Sequence, residues 1–63
     1  MTDELDTAAR YRQRAEDLRI IAAEDRSRAN SSALLKIAED YERMAESLEA
    51  IHHTNEVIHR AKD

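Results

Sequence analysis

Leu5, Ala8, Tyr11, Ala15, Glu16, Leu18 and Ile21 recur thirty residues later as Leu35, Ala38, Tyr41, Ala45, Glu46, Leu48 and Ile51. Six of the seven repeated positions are apolar, and they follow one another at steps of three or four. That period places side chains on one face of an α-helix. One helical face written twice predicts an all-α protein, a single two-helix antiparallel hairpin. Thr2 or Asp3 can cap the first helix, and Asp3, Glu4 and Asp6 put negative charge at its positive dipole end. The first helix is expected from about residue 4 to 25. Residues 24–33 contain no large apolar side chain and many cap-forming ones, so the turn is expected at about 26–30. Ser27 is the expected second N-cap, with Ser31 the choice if the loop is longer, and the second helix runs from about 28 to 61.

Within each helix the apolar positions form rows spaced by seven. Ala8, Ala15, Ala22 and Ala29 make one row, with Tyr11 and Leu18 between them and Ile21 at the flank. In the second helix the rows are Leu34, Tyr41 and Leu48; Ile37, Met44, Ile51 and Ile58; and Ala38 and Ala45. Three adjacent rows make a band wider than a two-row coiled-coil seam, and a broad band touches more than one neighbour. Alanine rows let the two helices of the hairpin approach closely, which leaves the rest of the band for another chain. The expected core and oligomer-interface residues are therefore Tyr11, Ala15, Leu18, Leu34, Ile37, Tyr41, Met44, Ala45, Leu48 and Ile51.

Composition strengthens the case for a partner. Of the apolar residues, eleven are alanine, and apart from Met1 only fourteen are larger, while glycine, proline and cysteine are absent. Without disulfides or a Cys-based metal site, stability has to come from packing, and pairing with a second copy is the ordinary remedy for so small a core. The second helix is also the longer, about 50 Å against about 33 Å, so Ile51, Val57 and Ile58 fall on an overhang. A homodimer forming a four-helix bundle is the simplest closed solution, with higher homo-oligomers as the alternative.

Charge adds orientation. Residues 10–28 carry six arginines and four acids, whereas residues 39–56 carry six acids and Arg43 alone, so an antiparallel arrangement sets opposed patches side by side. The net charge of −4 with both signs interspersed describes a solvated helical surface. No apolar run approaches the eighteen or so residues of a membrane span, and the N-terminal stretch is acidic, so a cytoplasmic protein is expected. Arg10, Arg12, Arg14, Arg19, Arg26 and Arg28 form the only pattern that suggests RNA or DNA binding. Arg12 and Arg14 diverge on the helix, acids lie close by, and no aromatic ring is placed to stack a base, so nucleic acid is disfavoured.

Catalytic chemistry finds little support. Ser27, Ser31 and Ser32 sit at cap and turn positions, Glu39 and Asp40 diverge on a helix, and no Gly-rich phosphate loop exists, so neither an enzyme nor a cofactor is expected. One cluster merits a test. Glu49-x-x-His52 and Glu56-x-x-His59 match the spacing by which a helical turn presents a carboxylate and an imidazole to a shared metal, making Glu49, His52, Glu56 and His59 the alternative metal-ligand set. Two-residue Glu and His patterns arise easily in so charged a helix, and bundle metal sites also draw carboxylates from two further helices. Histidines near a helix C-terminus could instead make assembly respond to pH between about 5 and 7.

The segment Tyr11-Arg12-Gln13-Arg14-Ala15-Glu16-Asp17-Leu18-Arg19-Ile20-Ile21-Ala22, followed by Leu34-Leu35-Lys36-Ile37-Ala38-Glu39-Asp40-Tyr41-Glu42-Arg43-Met44-Ala45, resembles small uncharacterised bacterial helical-hairpin proteins. Those proteins carry a YRxRAExLRxIA segment, a short polar link and an LLxIAxDYExMA segment. The match covers about residues 8–48, the second segment being the more specific. The resemblance implies a two-helix protein and transfers no functional residue. It differs here in lacking a proline near the turn, and the histidine-bearing end lies outside the pattern. Together these features lead to the expectation of a non-catalytic, self-associating protein-interaction or regulatory module.

Overall fold

The computed structural model describes the backbone of residues 3–62 and the side chains of residues 3–60. Two helices, α1 (Glu4–Glu24) and α2 (Arg28–Lys62), pack against each other as an antiparallel hairpin, with no strand among the described residues. The molecule measures 55 × 18 × 12 Å, so its length is that of α2 and its thickness that of one helix.

The start of α1 follows from Asp3, which has extended backbone and accepts a hydrogen bond from the Asp6 N–H at 2.9 Å. Its carboxylate meets one of the orphan donors of the first turn, where the dipole also favours negative charge. Thr2, the other candidate cap, lies outside the described residues. The helix ends without glycine. Asp25 leaves it with φ −77° and ψ 130° while its N–H still donates to the Ile21 carbonyl at 3.1 Å.

The link is three residues, 25–27, shorter than the expected 26–30, because three side chains hold it tightly. The Asp25 carboxylate accepts from the Ser27 N–H at 2.8 Å, and the Ser27 hydroxyl accepts from the Asn30 N–H at 3.3 Å as the cap of α2. The Ser31 hydroxyl then donates across the turn to the Ala22 carbonyl at 2.7 Å. Both serines named as alternative caps therefore work: Ser27 starts α2, and Ser31 ties it to the last turn of α1.

The Ser31 to Ala22 bond marks the register. Residue n of α1 lies level with about residue 53 − n of α2, which brings Ala15 level with Ala38 and Ala8 with Ala45. Those alanines, with Ala22, are the only buried residues among those described, and Ala15, Ala38 and Ala45 are 0% exposed. Small side chains at the contact permit an interaxial distance near the lower limit of about 8 Å. Ala29, the fourth member of the α1 row, falls beyond the turn and is exposed. The seven-residue spacing continued through a break that ended its structural meaning.

Candidate functional site

With alanine filling the seam, the larger apolar residues are displaced to its edges, and the two edges differ. Along one of them Arg12 forms a two-pronged hydrogen bond to the Glu49 carboxylate, Nε to Oε2 at 3.1 Å and Nη2 to Oε1 at 2.7 Å. One heptad further on, Arg19 bridges to Glu42 across the helices and to Glu16 on its own helix at 3.5 Å. These two rungs line that edge with charge, beside the exposed Leu5 and Leu35, which lie seven residues before Arg12 and Glu42. The hydrogen bonds from Arg12, reinforced by its charge and partly opposed by desolvation, hold Glu49 below the ordinary carboxylate range. The same bonds raise Arg12 above its already high value.

A depressed acid contributes stability that is present above its unfolded value and is lost as the pH falls through its folded one. Glu49→Gln is therefore expected to flatten the acid limb of the stability curve below about pH 4.5 while leaving the slope near pH 7 unchanged. Melting followed by circular dichroism at a series of pH values reads this directly.

The opposite edge is open and apolar. Tyr11 and Tyr41 meet there with ring centroids 5.6 Å apart and planes inclined by 40°, a favourable tilted pair. Leu18, Leu34 and Leu48 lie half-buried beside them, and outside these run Ile37, Met44, Ile51 and Ile58, exposed. A groove of about 400 Å³ lies between Thr7 and Tyr11 of α1 and Arg43, Met44, Ser47 and Leu48 of α2. Its lining is mainly hydrocarbon, with Thr7, Ser47 and Arg43 at its polar positions.

The ten residues expected to form core or interface thus fall into three groups. Ala15 and Ala45 are consumed by the intramolecular seam and offer nothing to a partner. Tyr11, Leu18, Leu34, Tyr41 and Leu48 line the open edge half-buried, and Ile37, Met44 and Ile51 project from it. No large side chain among the described residues is fully buried.

Of the metal-ligand set, only His52 and Glu56 come together. Glu49 faces the charged edge and is held by Arg12, while His52 sits seven residues beyond Ala45 in the seam, with Nε2 3.2 Å from Glu56 and Nδ1 3.7 Å from Glu4 of α1. Glu4 also accepts a hydrogen bond from Asn55 at 3.4 Å, fastening the start of α1 to α2. His59 lies past this point and is exposed. Among the described residues, no three His, Asp or Glu side chains converge on a metal position.

The arginines that raised nucleic-acid binding are likewise divided, Arg12 and Arg19 being committed to Glu49 and Glu42. Sequence reasoning placed opposite charge on the two helices but missed the individual pairs. Arg12 and Arg19, like Glu42 and Glu49, are seven apart and each pair sums to 61, a regularity readable once the helices are known to be antiparallel. No helix among the described residues is long and apolar enough to cross a membrane. No protein-family model, curated protein or solved structure matches the chain.

Proposed function

We propose that this chain is a non-catalytic assembly module whose open edge pairs with a second copy, giving a dimeric bundle of four helices that acts in the cytoplasm as a small protein-interaction or regulatory unit. The observation that carries this reading is the mismatch between core and surface. Five alanines are the whole buried interior of the described residues, while Ile37, Met44, Ile51 and Ile58, in one row along the open edge, remain between 40% and 50% exposed. Isolated exposed leucines are unremarkable, but aligned rows beside a groove form the kind of continuous apolar patch that marks an interaction site.

A standard interface buries about 800 Å² on each partner, roughly a sixth of the 5148 Å² accessible on one hairpin. A copy of the same chain supplies a matching apolar surface, and an isologous contact closes on itself without leaving an edge to propagate. The charged edge, already neutralised within the hairpin, stays in solvent.

Folding coupled to dimerisation makes stability depend on concentration. The midpoint of thermal unfolding is expected to rise by several degrees when the protein is concentrated from about 5 to 500 µM, because a hundredfold change in mass action is worth about 2.7 kcal/mol. A midpoint independent of concentration over that range argues for a hairpin that folds alone.

A further inference from the structure

The pattern on α2 also points to how the two copies meet, an inference that rests on the self-association proposed above. The exposed row Ile37, Met44, Ile51 and Ile58 is symmetric about its midpoint, since 37 and 58 sum to 95 and so do 44 and 51. We propose that the two α2 helices lie antiparallel along this row, with the two-fold axis beside Ser47 and Leu48, so that each α1 covers the overhanging end of the partner's α2.

Three observations converge on that register. First, an antiparallel alignment about residues 47 and 48 sets Ile37 level with a second Ile58 and Met44 level with a second Ile51, so every large side chain of the row meets another. Asp40, beside the row, falls level with Asn55 and close to Thr54, and no like charges oppose each other along it. Second, the groove lined by Thr7, Tyr11, Arg43, Met44, Ser47 and Leu48 lies beside the axis, where Arg43 falls level with a second His52 rather than a second Arg43. Two copies of it face each other there, and Ser47, small and exposed, lets the backbones approach.

Third, the register solves the problem of unequal length. Glu4, the first residue of α1, contacts His52 and Asn55, so α2 continues past α1 with Val57 and Ile58 half-exposed. In the proposed alignment Ile58 lies level with residue 37 of the other copy, which is itself level with about residue 16 of that copy's α1. The projecting end is thereby flanked by two helices. An axis through the middle of the hairpin, near Ala15 and Ala38, would instead leave Ile51 and Ile58 uncovered. An axis parallel to the helices would lay the α2 row against Thr7, Arg14 and Ile21 of α1, pressing the Arg14 guanidinium onto isoleucine.

The absence of cysteine makes the arrangement easy to test by single introductions. A disulfide needs Cα atoms within about 7 Å. In a glutathione redox buffer, Ser47→Cys is expected to form a covalent dimer with itself. An equimolar mixture of Ile37→Cys and Ile58→Cys chains is expected to give the mixed 37 to 58 link as its main product. Ile58→Cys alone should not link, since its copies lie about 31 Å apart in this register. Sedimentation of each reduced variant, with helicity checked by circular dichroism, separates the two levels of the proposal. Dimers that fail to link at Ser47→Cys, or that link Ile58→Cys to itself, overturn the arrangement and leave self-association standing. Helical monomers of the reduced Ser47→Cys chain overturn self-association as well.

Discussion

Ala38→Leu is expected to destabilise the protein by about 1 to 3 kcal/mol even though it adds apolar surface to an apolar seam. Ala38 is fully buried and level with Ala15, itself fully buried, so the additional carbons of leucine have no space to enter. Either the side chain leaves its preferred rotamers or the helices separate, and separation weakens every other alanine contact along with the Ser31 bond to Ala22. For a chain of this size each kcal/mol corresponds to about 4–8 °C in the unfolding midpoint, making the shift easy to read by circular dichroism. Ala9→Leu is the control, because Ala9 is exposed on α1 and its replacement keeps good helix propensity. An Ala38→Leu protein as stable as the parent would mean that the helices are not held at alanine distance.

Leu48→Asp acts on the other side of the seam. Leu48 lies half-buried beside the groove at the middle of the open edge, and in a two-fold dimer both copies are affected. Losing the burial of one leucine costs about 1.5 to 3 kcal/mol, so two cost about 3 to 6 kcal/mol per dimer. At about 1.4 kcal/mol per factor of ten, the dissociation constant should rise on the order of 10²- to 10⁴-fold. Because the hairpin has so little interior of its own, helicity is expected to fall together with assembly. Ile20→Asp, at an exposed position of α1 outside that edge, should leave the dimer intact. A Leu48→Asp chain that remains assembled and fully helical would contradict the assignment of the open edge.

The hairpin was legible in the sequence because the alanine spacing and the repeated face are properties of single helices, and each helix carries its own copy. How the broad apolar band divides was not legible. Periodicity reports which side chains share a face, whereas the division between seam and surface depends on how closely two helices approach. Here the alanines determine that approach and expel Ile37, Met44 and Ile51 to the outside. The same reasoning explains His52. Grouped by sequence with Glu49 and Glu56, it lies in the row of Ala38 and Ala45, and its neighbour from the other helix is Glu4, forty-eight residues away in the chain. Helical spacing also carried the alanine row on to Ala29, although the extended backbone of Asp25 had already ended α1.

The central claim is that one hairpin leaves its larger apolar side chains for a second copy to cover. Sedimentation equilibrium of the unaltered protein tests it most directly. At tens of micromolar and neutral pH the weight-average mass should be twice the 7.3 kDa of the chain, falling toward that value on dilution. A mass of 7.3 kDa at every concentration, with helicity undiminished, would contradict the account.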